Sequence, residues 1–268
     1  MNRRNPMERT KKAWVNAIFF VITLAVNTLG ALGLINGLSQ KEISDRYVTL
    51  ITPSPSTFSI WSVIYTLLLA AVIMMIVKKA DTYYQKAVDE ISLLFRLSSL
   101  FNIAWIVTFS YVLVEISVLF IVAFVITLAM LNQKLRAIHE SKRWLLPAAF
   151  GMYTGWLTIA TVVNIAAALV KIEWNRFGLS EELWAVIILA VSAVLVILIL
   201  LRLENVIYPL PVAWAYFGIY QFLNAPEGFK GQYNLVEVTA LIGMVVLIGA
   251  AAIQLYRNRF RILPVAQN

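Results

Sequence analysis

The chain contains no cysteine and a single histidine, His139. A disulfide framework, a thiolate metal site and a cysteine nucleophile are thereby excluded, and one histidine cannot assemble a metal centre by itself. Charge is scarce as well: 13% of the 268 residues are charged and 61% are hydrophobic, and the mean hydropathy is +0.80. Soluble domains keep about a quarter of their residues charged, so this composition excludes a soluble enzyme and a disordered chain alike. No Pro/Gly/Ser-rich linker separates domains, although the polar stretch 173–182 marks a seam.

What is present is a series of apolar runs near spanning length, broken by short charged clusters. Eight spans are expected, over residues 14–36, 57–77, 93–113, 116–131, 145–170, 183–201, 206–223 and 235–256. The fourth is the shortest and follows the third through a tight turn around Glu115. The fold expected is all-α, a polytopic membrane helix bundle. The first run, from Ala13 to Ile35, exceeds the length of a signal-peptide apolar region and reads as an uncleaved span.

The basic residues give the orientation. Arg3, Arg4, Arg9, Lys11, Lys12, Lys78, Lys79, Lys86, Arg96, Lys134, Arg136, Lys142, Arg143, Arg202, Arg257, Arg259 and Arg261 fall on one side of an eight-span chain. Lys41, Arg46, Lys171, Arg176 and Lys230 fall on the other. The positive-inside rule then puts both termini in the cytoplasm, in a multi-pass protein of the plasma membrane. The formal charge of +8 fits anionic headgroups, and without a clustered basic footprint no nucleic-acid partner is expected.

Three spans carry aromatic and polar residues at helical spacing. Phe58, Trp61 and Tyr65 share a face of the second, Asn102, Trp105 and Phe109 of the third, and Tyr153, Trp156, Ala160 and Asn164 of the fifth, with Thr161 beside them. An amide within a span is costly to expose to lipid, so Asn102 and Asn164 should face the bundle interior and bring those faces with them. Such faces either pack helices together or line an apolar pocket with a few polar groups, suited to a flat aromatic or sterol-like ligand. Trp14, Trp144, Trp174 and Trp184 lie at span ends, as in an aromatic belt.

The segment Phe101-Asn102-Ile103-Ala104-Trp105, continuing to Phe109, resembles the F-N-x-x-W-x-x-x-F third helix of the TspO/MBR family of tryptophan-rich sensory or translocator proteins. The run Tyr153-x-x-Trp156-x-x-x-Ala160-Thr161-x-x-Asn164, followed by Trp174-Asn175, is similar to that family's fifth helix and closing W-N. Pro53 and Pro55 before Trp61-x-x-x-Tyr65 are similar to its proline-rich first loop and second helix. The resemblance covers about residues 13–175 in matching helix order. It implies a five-helix core over 1–175 with a pocket between the first, second and fifth helices, capped by the first loop and binding a porphyrin, haem or related hydrophobic ligand. Phe58, Trp61, Tyr65, Asn102, Trp105, Tyr153, Trp156, Ala160 and Asn164 become its ligand-binding candidates.

The chain departs from that pattern in places. Met152 stands where the family has a proline before the fifth-helix tyrosine, and residues 37–57 hold no tryptophan. Phe58 stands three residues before Trp61, where many relatives have it four before. Residues 176–268 add three spans, in which Pro209 and Pro211 should bend or break the seventh. The added helices either cover one face of the core or line a transport path. Gly33-x-x-x-Gly37 and Gly151-x-x-x-Gly155 permit close helix approach, within the chain or in a homodimer.

Glu115 and Glu237, near span ends, and His139, in a basic loop, are expected at the solvated surface. No pair of intramembrane carboxylates, histidine cluster or Ser/Lys or Ser/His arrangement emerges, so no catalysis and no resident cofactor or metal are expected. The expectation is a membrane sensory or translocator-type protein that binds a tetrapyrrole or sterol-like molecule. The alternative is a secondary transporter or permease subunit using all eight spans. Truncation near residue 176 separates the two, since a self-sufficient five-helix core keeps its ligand.

Overall fold

The computed structural model describes residues 6–140 and 142–266, and the described residues form α-helices and 3-10 turns with no strand. The helices are α1 (Pro6–Ala31), α2 (Gln40–Arg46), α3 (Ile60–Val77), α4 (Thr82–Ser110), α5 (Val114–Ala137), α6 (Leu145–Lys171), α7 (Glu181–Leu203), α8 (Leu210–Asn224) and α9 (Asn234–Arg257). A 3-10 turn, Pro55–Ser59, leads into α3. Seven of these segments are long and apolar enough to cross a membrane: α1, α3 with its turn, α4, α5, α6, α7 and α9. The chain is an integral, multi-pass membrane protein.

Local chemistry explains several boundaries that differ from the spacing of apolar residues. α1 ends at Ala31 because Gly33 and Gly37 adopt φ of +72° and +76°, which glycine alone adopts without strain. That pair therefore makes a turn and not a packing motif. α4 begins well before the expected residue 93. Its first half is amphipathic, burying Tyr83, Tyr84, Ala87, Val88, Ile91 and Phe95, and the Asp81 side chain accepts a hydrogen bond from the Tyr83 N–H at its start. Nor is the fourth span short, since α5 runs to Ala137. The turn before it is Tyr111–Leu113, with Val112 at φ +60°, and Glu115 lies in the first turn of α5, paired with Lys171 at 2.7 Å.

The seventh expected span is the 15-residue α8, about 22 Å of helix and short of a ~30 Å hydrocarbon core. Pro209 caps it and Pro211 lies in its first turn, where a missing N–H costs nothing. The prolines thus start this helix and do not break it. α8 nevertheless runs from one end of the bundle to the other. Just before its start the Val206 N–H donates to the Ile262 carbonyl, beyond the end of α9, and from its middle onward it meets the loop at the opposite end, where the Ser54 N–H donates to the Gly218 carbonyl and Ser54 Oγ to the Gln221 side-chain oxygen.

Ion pairs tie together the end that carries both termini. Arg9 of α1 meets Asp89 of α4 at 2.8 Å, Arg143 meets Asp81 at 2.9 Å, and Arg136 of α5 meets Glu204 at 2.6 Å. The Ala266 N–H reaches the His139 carbonyl there as well. His139 is not at the surface: it is buried under this C-terminal segment at 3% exposure. Burial, and then Arg261, pull its imidazole below the usual 6.5. Glu237 is also less solvated than expected, with one carboxylate oxygen buried and unpartnered. Arg3 and Arg4 lie outside the described residues.

Neighbouring helices close a ring in the order α1, α4, α5, α6, α3 and back to α1. α8 packs on α6 and on the 3-10 turn, while α9 joins α8 to α7. One continuous apolar core runs from Phe20 and Ile64 through Phe150 to Tyr208, Tyr216 and Leu247, without a break near residue 175. Gly151 and Gly155 account for the tight seam. A methyl on Gly151 would lie 2.5 Å from the Asn205 amide, and one on Gly155 2.0 Å from the Tyr208 carbonyl. That glycine pair serves packing within the chain.

Candidate functional site

Inside the ring lies a cavity of about 420 Å³, lined from α1, α2, α3, α4, α6 and α8. Aromatic side chains make its walls because they recur every three or four residues on faces that the ring turns inward. Trp61 and Tyr65 stack on one another at 5.2 Å between ring centroids. Trp156 meets Trp61 edge-on at 6.1 Å and Phe58 at 5.9 Å. Trp105 and Phe109, from α4, complete the aromatic lining.

Seven of the nine candidates border this cavity: Phe58, Trp61, Tyr65, Trp105, Trp156, Ala160 and Asn164. Asn102 and Tyr153 do not border it. They form a layer behind it, where Asn102 Nδ2 donates to the Tyr153 hydroxyl at 2.7 Å and Asn102 Oδ1 accepts from Asn27 Nδ2 at 2.7 Å. This series of side-chain hydrogen bonds joins α1, α4 and α6, which is how buried polar side chains survive in a bilayer. Asn164 has a similar duty on the cavity wall. It accepts from the Trp105 indole N–H at 2.8 Å and donates to Ser117 Oγ at 3.1 Å, which fixes the tilt of Trp105.

Other lining groups lack a partner in the protein. The Tyr65 O–H, the Trp156 indole N–H and the Gln40 side-chain amide are buried donors with no acceptor in the protein. An unpaired donor in a dry site costs free energy, and three around one apolar cavity suit a ligand with a hydrophobic body and peripheral acceptor atoms. Lys41 adds a cation to the lining, paired with Asp45 on the next turn of α2. The short α2 is held by a capping box, in which Ser39 and Glu42 satisfy each other's backbone N–H groups.

Several lining residues were not singled out by sequence. Asn27 had a signal: Asn16, Phe20, Thr23, Asn27 and Gly30 form one buried stripe on α1. Gln40 and Lys41 sit in a loop with no periodicity to mark them. Ala215 comes from α8, so the C-terminal part of the chain supplies wall to a cavity that the sequence assigned to the first 175 residues. α8 also anchors the loop over the cavity. The Trp214 indole donates to the Thr57 carbonyl at 2.9 Å, and Ser54 Oγ donates to the Gln221 side-chain oxygen at 3.2 Å. Pro53 and Phe58, which flank those contacts, line the cavity.

Among families, the model described as TSPO-like protein matches residues 13–253. The match continues beyond residue 175 through α7 and α8 and into α9. No curated protein and no solved structure matches the chain.

Proposed function

From the premise that this chain belongs to the TSPO-like protein family, we propose that it binds a flat hydrophobic ligand, a tetrapyrrole or a sterol-like molecule, in the cavity between α1, α3, α4 and α6, for sensing or transport. The observation that carries this reading is the aromatic cavity of about 420 Å³ with the Tyr65, Trp156 and Gln40 donors unpartnered around it. Its size suits a small organic molecule, for which pockets run to about 300–1,000 Å³, and indole faces stack on flat rings. Binding without turnover is the proposed role. The basic end of the bundle, with both termini, faces the cytoplasm in this reading, and the host is the plasma membrane.

The transporter alternative drew its support from a broken seventh span. With Pro209 and Pro211 at the start of α8, no observation favours it over ligand binding. The test is a titration of intrinsic tryptophan fluorescence with protoporphyrin on the full-length protein in detergent. Saturable quenching supports the reading, and its absence in a folded sample removes the tetrapyrrole.

A further inference from the structure

A second cavity, of about 330 Å³, lies at the opposite end of the bundle from the termini, between the C-terminal end of α6, the N-terminal end of α7 and residues 49–51 of the loop after α2. It meets α6 on another face, through Ala166, Leu169 and Val170, and so is separate from the aromatic cavity. Three charged side chains line it: Glu173, Arg176 and Glu181. No ion pair or side-chain hydrogen bond engages any of the three among the described residues. The Arg176 Nε is buried and unpartnered. Opposite charges that share a cavity without pairing leave both signs available to a ligand.

The remaining lining is aromatic. Trp174 and Trp184 pack against each other at 4.8 Å between centroids, and both border the cavity. The surface around it is apolar: Val170, Ile172, Phe177 and Leu183 are exposed, Phe177 at 79%. Indoles at the ends of apolar spans mark the depth of the headgroups, so this cavity opens where the bilayer presents its phosphates and ammonium groups. Glu173, Arg176 and Phe177 all hold φ near +55°. Side chains other than glycine take that conformation at a cost, and here it shapes the loop that carries Glu173 and Arg176 to the cavity.

We propose that this cavity binds the headgroup of a zwitterionic phospholipid from the surrounding bilayer. The phosphate engages the Arg176 guanidinium, and the ammonium engages the Glu173 and Glu181 carboxylates and the indole faces. A planar guanidinium with a free N–H matches a phosphate, and carboxylates beside indoles favour a cation. A purely anionic headgroup would satisfy Arg176 but would face two carboxylates, so the site selects phosphate and ammonium together.

Native mass spectrometry of the full-length protein in detergent tests this with phosphatidylethanolamine, phosphatidylcholine and phosphatidylglycerol, and with glycerophosphoethanolamine as a soluble headgroup. One zwitterionic lipid should be retained per chain, about tenfold or more over phosphatidylglycerol, as expected for a charge-assisted contact. Arg176→Gln should lower retention of the zwitterionic lipids about tenfold. Glu173→Gln with Glu181→Gln should abolish the preference over phosphatidylglycerol. Circular dichroism and elution volume check that the variants stay folded. Equal retention by the wild type and Arg176→Gln, or a wild-type preference for phosphatidylglycerol, overturns the proposal. Displacement by glycerophosphoethanolamine at the concentration at which the lipid itself binds overturns the bilayer as the source.

Discussion

Gly218 of α8 lies against Thr57 so closely that a methyl placed on its Cα would stand 1.9 Å from the threonine Oγ1. Thr57 is fully buried, and Phe58, the next residue, lines the aromatic cavity. The absence of a side chain at one position of the C-terminal region therefore decides where a cavity wall stands. Gly218→Ala should destabilise the protein by about 1–3 kcal/mol, the usual cost of overpacking, and weaken protoporphyrin binding severalfold as the loop is displaced. Thermal unfolding and fluorescence titration of the variant check both. Binding equal to wild type would show that the loop position does not matter to the ligand.

Truncation after residue 176 removes Ala215 from the cavity lining and the anchors of the 54–57 loop, Trp214, Gly218 and Gln221. The shortened protein should lose protoporphyrin binding even if it inserts and stays helical. Circular dichroism beside the titration distinguishes loss of fold from loss of site. Retained affinity in the truncated protein would mean that the first 175 residues are sufficient by themselves.

Asn102 is completely buried and accepts from Asn27 while donating to Tyr153. Asn102→Leu leaves the Asn27 amide and the Tyr153 hydroxyl with a partner lost, at a cost of about 1–3 kcal/mol, and Tyr153→Phe should cost less. Denaturation midpoints in detergent measure both. The reverse order, or no effect from Asn102→Leu, would mean that water already serves these groups.

His139 predicts a pH dependence. Its folded-state value lies below the usual 6.5, through burial first and Arg261 second, with Glu140 opposing. The unfolded chain therefore takes up a proton that the folded one refuses. The contribution of this residue to stability is complete above 6.5 and declines as the pH falls toward the folded value. Melting temperatures at pH 7.5 and 5.5 should fall more in the wild type than in His139→Gln. Equal falls in both would assign the loss to other groups.

The helical, membrane-spanning fold was legible because lipid leaves few choices: a run of apolar residues must satisfy its own backbone as a helix. The aromatic stripes were legible for the same reason, since Asn102 and Asn164 could only turn inward and bring Trp105, Tyr153 and Trp156 with them. The start of α4 was missed because residues 82–92 are amphipathic and read as a charged loop, although their buried face has helical spacing. α8 was misread because a proline inside an apolar run signals a break, yet the same residue opens a helix when it falls in the first turn. The contacts of Gly218 and Ala215 carry no periodic or chemical signature, as they depend on which helices become neighbours. His139 was missed because a C-terminal segment distant in sequence folds over it.

The most direct test of the aromatic cavity as the ligand site is a protoporphyrin titration of wild type, Trp156→Phe and Trp144→Phe, followed by tryptophan quenching. Trp156 is buried at 3% exposure against the cavity, whereas Trp144 is exposed at 59% and remote from it. Saturable one-to-one binding should persist in Trp144→Phe and weaken about tenfold or more in Trp156→Phe, where the unpaired indole N–H and ring area are lost. Identical curves for all three proteins would contradict the cavity as the ligand site.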